Sequence, residues 1–135
     1  PTAVKAFTCF LIDDDADDQE IFISALGKIS PAIRNISAYN GQDALDKLSA
    51  SKEKPDIIFL DLNMPLMNGR EFLQAISGNE WYQQIPIIIL STTSDSDTIS
   101  ETIQLGAKEF ITKPASYSDW ETILKVVLKE FYTGL

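Results

Sequence analysis

Histidine is absent from this chain. That excludes Ser-His and Cys-His nucleophile pairs and every histidine-ligated metal site. Cysteine occurs once, as Cys9, so no internal disulfide can form and a reducing compartment is compatible. Cys9 falls in an apolar stretch, where a packing role is the expectation. No run approaches the ~20 apolar residues of a membrane span, and the N-terminal residues show no secretory pattern. Cytoplasmic location without a membrane partner is the expectation. Basic residues are scarce, eleven against twenty acidic, for a net charge of −9. Phosphate neutralisation needs Lys and Arg, so direct nucleic-acid binding is disfavoured. A cation or a basic protein surface suits the chain better.

The acidity is local. Asp13, Asp14, Asp15, Asp17, Asp18 and Glu20 lie in one eight-residue window, and without them the acidic excess falls to three. The 135 residues, 44% of them hydrophobic, suffice for one domain with a proper core, expected over residues 1–135.

Short apolar runs bounded by turn formers predict buried strands at 7–12, 57–60, 86–90 and 108–112, with a weaker one at 33–39. Helical periodicity links them. Ile21, Phe22, Ala25, Leu26 and Ile29 form one stripe of a helix starting near Ala16, with Gly27 and Pro31 marking its end. Ala44, Leu45 and Leu48 form a second stripe, and Phe72, Leu73 and Ile76 a third, opened by Asn68-Gly69. A helix over 96–105, capped by Asp95 or Ser96, carries only Ile99 and Ile103 and closes at Gly106, so the least rigid packing is expected there. The last, capped by Ser118 or Asp119, presents Trp120, Ile123, Leu124, Val127, Leu128 and Phe131. Trp81-Tyr82 read as partly packed loop residues. Five strands alternating with five helices predict an α/β fold with a parallel sheet.

In such sheets ligand sites lie beyond the carboxyl ends of the strands. Four of the five expected strands end in a reactive side chain: Asp13-Asp14 after the first, Asp61 after the third, Ser91 after the fourth, Lys113 after the fifth. Each alone has an ordinary explanation as a turn former or a surface charge; the coincidence of four does not. Clustered carboxylates call for a cation, and hard oxygen donors without histidine favour Mg²⁺ or a similar ion. Metal, lysine and hydroxyl together suit phosphoryl chemistry. Asp17 and Asp18 are expected to serve as helix N-terminal charge.

These strand ends and the text between them resemble the receiver domain of two-component response regulators, in its single-domain, chemotaxis-regulator-like form. The likeness rests on Phe-Leu-Ile-Asp-Asp at 10–14, Asn-Gly-Gln-Asp-Ala-Leu at 40–45 and Asp-Leu-Asn-Met-Pro-Leu-Met-Asn-Gly at 61–69. Pro-Ile-Ile-Ile-Leu-Ser at 86–91, Gly-Ala at 106–107 and Phe-Ile-Thr-Lys-Pro at 110–114 complete it. The resemblance implies a doubly wound, flavodoxin-like sheet of order 2-1-3-4-5 with five helices. It implies that Asp61 is a phosphoacceptor served by a sensor histidine kinase or histidine phosphotransfer protein, with Mg²⁺ as cofactor. Asp14 would bind the ion directly, Asp13 mainly through water, and Asn63 through its backbone carbonyl. Lys113 would pair with Asp61 and then with the phosphoryl group. Ser91 would move toward that group and Phe110 would follow inward. Phe110 stands where many members have tyrosine, and Ser91 where threonine is commoner. Readout to a downstream protein, or self-association, would use the helix over 96–105, the fifth strand and the last helix.

Three rival readings fit the residues less well. A degenerate receiver, serving as an unphosphorylated adaptor, would not need Asp13, Asp14, Asp61, Ser91 and Lys113 all in place. An aspartyl phosphatase or phosphotransferase would want a second acid at position 63, where Asn63 stands. A calcium loop starting at Asp13 would want Gly at 18 and Glu at 24, where Asp18 and Ser24 stand.

Overall fold

The computed structural model describes residues 6–134. Strands β1 (Thr8–Ile12), β2 (Arg34–Ala38), β3 (Ile57–Leu60), β4 (Ile87–Ser91) and β5 (Glu109–Thr112) pair in parallel, in the order β2-β1-β3-β4-β5. Five longer helices connect or follow them: α1 (Ala16–Ile29), α2 (Gly41–Ala50), α3 (Gly69–Ile76), α5 (Ser96–Gln104) and α6 (Tyr117–Phe131). The expected order and five helices are therefore present, with one addition. Trp81 and Tyr82 lie on a one-turn helix, α4 (Glu80–Gln83), whose N-terminus Asn79 caps by accepting from the Trp81 N–H.

Alternation along the central strands builds two cores. Phe10, Ile12, Ile58, Leu60, Ile87 and Ile89 face one way, against Ala44 and Leu48 of α2 and Phe72, Leu73 and Ile76 of α3. Cys9, Leu11, Ile57, Phe59, Ile88 and Leu90 face the other, against Phe22, Ala25 and Leu26 of α1 and Trp120, Leu124 and Leu128 of α6. Apolar residues at both parities are why the central strands read as continuous runs. The Phe22 and Phe59 rings meet edge-on, centroids 4.9 Å apart. Burial pushes the Cys9 thiol up to about 12, with Asp56 adding to the rise, as befits a packing residue.

Several boundaries differ from the sequence reading. α1 runs through Gly27 to Ile29, because its stripe supplies enough buried surface to carry one exposed glycine. The cap of α6 is Ser116, which accepts from the Asp119 N–H, rather than Ser118 or Asp119. The helix with the thin stripe, α5, buries Thr102 alone, while Ile103 is 43% exposed. Thr102 can be buried because its hydroxyl donates to the Ile99 carbonyl at 2.9 Å.

Candidate phosphoacceptor site

The hydrogen-bond ladder runs one residue past three of the strands, and this places the reactive side chains. The Asp13 N–H donates to the Ala38 carbonyl (3.0 Å), that of Asp61 to Ile12 (2.9 Å) and that of Lys113 to Ser91 (2.7 Å). Ser91 itself closes β4, paired in register with Thr112. Asp13, Asp61 and Ser91 are buried, at 1%, 6% and 0% exposure. Asp14 and Asn63 are exposed at the rim.

Two local devices hold this end of the sheet. Asp15 caps α1, its carboxylate accepting from the Asp17 and Asp18 N–H groups, so the third acid of the run is engaged by the helix. Buried Gln19 donates to the carbonyls of Asp13 (2.7 Å) and Ala38 (3.0 Å), tying the first turn of α1 to the ends of β1 and β2. After Asp61 the chain turns sharply into α3, whose Asn68–Glu71 capping box fixes its start. A Cβ at Gly69 would lie 2.5 Å from the Asp61 carbonyl oxygen and 2.8 Å from the Leu62 Cα, so the close approach of α3 to the Asp61 backbone requires glycine. Within this turn Leu66 takes φ +64° with its side chain 86% exposed. A left-handed backbone is costly for leucine and easier for asparagine. Leu66→Asn is therefore expected to raise stability by about 0.5–1 kcal/mol, read as a higher urea midpoint. A lower midpoint would mean that the leucine side chain contributes packing the exposure does not reveal.

One carboxylate oxygen from each of Asp13, Asp14 and Asp61 can be chosen so that all three lie within 4.8 Å of one another. Three hard oxygen donors without a nitrogen or sulfur ligand fit a small divalent cation such as Mg²⁺. The Lys113 ammonium lies 2.9 Å from Asp13 and 3.7 Å from Asp61. Its shortest contact, 2.8 Å, is to Asp18. The pairing expected with Asp61 is thus the loosest of three. Asp18 is also more than the helix-end charge expected of it. The signal for it lay in spacing: a residue on the first turn of α1 can reach back toward the site, but Asp17 and Asp18 both stand there and spacing does not choose between them.

Burial dominates the electrostatics. Desolvation raises the Asp61 carboxyl to about 7, with Lys113 opposing and Asp13 adding to the rise. Asp13 is raised as well, again chiefly by burial, despite its hydrogen bonds from Asp15 and Lys113. Burial would lower Lys113, but its hydrogen bonds to Asp18 and Asp13 hold the ammonium above its ordinary value. One ammonium is firmly charged; the carboxylates around it remain under-compensated. Ser91 is a separate polar centre, its hydroxyl oxygen accepting from the Thr93 N–H at 3.3 Å. Phe110 is half-buried on β5, packed against the core that α2 and α3 share with the sheet.

Comparison with known proteins places this arrangement. The family profile of the response regulator receiver domain matches residues 9–125. A protein-glutamate methylesterase/protein-glutamine glutaminase of Treponema denticola is 38% identical over 105 residues, 73% of this chain and 27% of that protein. One from Methanosarcina mazei is 36% identical over 118 residues, 85% of this chain and 32% of that protein. The chain thus spans about a quarter to a third of the length of these relatives. Among solved structures, the phosphorylated cyanobacterial phytochrome response regulator RcpA superposes with a TM-score of 0.88 at 28% identity, covering 97% of both chains. The chemotaxis response regulator CheY4 of Vibrio cholerae gives 0.77 at 26% identity, covering 91% of this chain and 99% of that one. The profile match, the sheet order and the acids at the strand ends agree: this chain belongs to the response regulator receiver domain family.

Proposed function

We propose that the domain accepts a phosphoryl group on Asp61 in the cytoplasm, from the phosphohistidine of a sensor histidine kinase or histidine phosphotransfer protein. Its own catalysis is limited to its phosphorylation and dephosphorylation. The observation that carries this reading is the setting of Asp61: a buried carboxylate at a strand end, beside Asp13 and Asp14, with an ammonium 3.7 Å away. An Asp61 carboxylate oxygen attacks phosphorus; the O–P bond forms as the N–P bond of the donor histidine breaks. Lys113 then turns its charge to a phosphoryl oxygen. The Ser91 hydroxyl, which accepts from Thr93 in the resting structure, keeps its own hydrogen to donate to another. Asp14 would hold Mg²⁺ directly and Asp13 mainly through water, because both Asp13 oxygens are engaged, one by the Asp15 N–H and one by Lys113. Asp61 and the Asn63 carbonyl would complete the set. Bound there, the ion would neutralise charge developing on the phosphoryl oxygens.

Readout follows from packing. Drawing Ser91 inward pulls on the Thr92–Asp95 segment and opens space beside Phe110. The next element, α5, buries one residue, so little packing resists its shift. Arg70 on α3 ties it down from outside, 3.0 Å from Glu101 and 3.4 Å from the Thr98 hydroxyl. The face of α5, β5 and α6 is then the surface offered to a downstream protein or a second copy. The likeness to a phosphorylated response regulator supports the reading.

Incubation with a small acyl-phosphate donor, followed by intact-mass measurement, tests it. A single phosphoryl mass gain is expected in the wild type, absent in Asp61→Asn and diminished by chelator. A gain that persists in Asp61→Asn, or that chelator leaves untouched, would overturn the assignment.

A further inference from the structure

Lys113 has three ammonium protons, and three carboxylates surround it: Asp18 at 2.8 Å, Asp13 at 2.9 Å and Asp61 at 3.7 Å. Its side chain is 8% exposed, so water has little access to it. The Asp61 contact is too long for a hydrogen bond, so an ammonium that serves a phosphoryl oxygen on Asp61 must shift toward it, and Asp13 or Asp18 must yield. Asp13 is poorly placed to do so. Its side chain is 2% exposed, and loss of the ammonium would leave it charged and buried. The Asp18 side chain is 24% exposed, sits on the first turn of α1 and can be rehydrated where it stands.

We infer that Asp18 is a positioning residue that restrains phosphorylation by competing with the phosphoryl group for the Lys113 ammonium. This rests on the phosphoacceptor reading above. Asp18 touches neither the phosphoryl group nor Asp61; it acts through the lysine. In the resting site it draws the ammonium to its own side of the pocket, which is why the Asp61 contact is the longest of the three. Each transfer must break the Asp18–Lys113 pair before the lysine can serve the new oxygen. An acid at this point therefore sets how readily the site accepts and keeps its phosphoryl group.

Labelling kinetics with an acyl-phosphate donor in Mg²⁺ buffer, together with the lifetime of the phosphorylated protein, test the inference. Asp18→Asn keeps the shape and removes the charge. It is expected to raise the maximal labelling rate and lengthen the lifetime, each about three- to tenfold, the worth of one partly exposed ion pair. Asp18→Glu, which can still reach the ammonium, should restore most of the wild-type rate. Asp17→Asn removes the same charge one residue away, where Asp17 is exposed and has no contact with Lys113. It should lower the donor concentration needed for half-maximal labelling at most, through weaker repulsion of the anionic donor, and leave the maximal rate alone. Asp18→Asn labelled at the wild-type maximal rate or slower, or matched by Asp17→Asn, would overturn the role given to Asp18. A wild-type protein that takes no label at all would overturn the phosphoacceptor reading itself, and this inference with it.

Discussion

Lys113→Met is expected to cost about 3–5 kcal/mol of folding stability at neutral pH in ion-free buffer, a large fraction of what a domain of this size possesses. Methionine keeps an unbranched apolar stem in the pocket, so the loss reports the charge. Without the ammonium, Asp13 keeps only its hydrogen bond from the Asp15 N–H, while Asp61 and Asp18 lie nearby with no cation among them. The raised Asp13 and Asp61 carboxyls already show burial outweighing the compensation that Lys113 gives them. Two controls separate this account from simple loss of packing. Lowering the pH toward 4 protonates the carboxylates, so the gap between variant and wild type should narrow. Millimolar Mg²⁺ should stabilise the variant more than the wild type, because the ion can supply the missing positive charge. Urea titrations at pH 7.5 and pH 4.5, with and without Mg²⁺, read all of this. A variant as stable as the wild type at pH 7.5 would mean that Lys113 does not hold the acid cluster together.

The site was more legible than its support. Asp13, Asp61, Ser91 and Lys113 announce themselves because each lies at the end of a short apolar run, and a parallel sheet puts all such ends on one edge. The alternation of cores was legible for the same reason: Ile57–Leu60 and Ile87–Leu90 have no polar residue to mark a solvent face. What escaped were contacts between polar residues far apart in sequence. Gln19 looks like any surface residue of an acidic helix turn, yet its amide holds two strand ends. Asp18 is one acid among several until Lys113, 95 residues on, selects it. Thr102 carries the burial that Ile103 was expected to share, because a hydroxyl bonded to its own helix can be buried. The cap of α6 was misplaced by two or three residues, since Ser116, Ser118 and Asp119 are all capable caps and only the geometry chooses. Spacing reveals which element a residue occupies, and packing decides which partner it meets.

Asp61→Asn should make the folded domain more stable, by about 1–3 kcal/mol at pH 8 in ion-free buffer. Desolvation lifts the buried carboxyl from 3.8 to about 7. Between those values the folded state retains a proton that the unfolded chain has released. Stability contributed by this group is therefore full below pH 3.8 and declines as the pH rises through 7, the reverse of a salt-bridged acid with a depressed pKa. At roughly 1.4 kcal/mol per pKa unit the rise sets a ceiling of about 4 kcal/mol. Relaxation around the Leu62–Met64 turn and the partial compensation by Lys113 bring the expected gain below it. Asparagine has the same shape and no charge to desolvate, so it lacks the penalty. Lys113 loses only its longest contact and keeps Asp13 and Asp18. The advantage of the variant should vanish near pH 3.5, where wild-type Asp61 is protonated in both states, and should shrink when Mg²⁺ is added at pH 8. Stability curves from pH 3.5 to 8.5 test this, and an Asp61→Asn protein no more stable than the wild type at pH 8 would show that the carboxylate is well compensated in the resting fold. The expected outcome has a functional meaning. On the proposed reading, a carboxylate held at a loss in the resting state would be relieved by cation or phosphoryl group, and that relief would supply free energy to move Ser91 and the loosely packed α5.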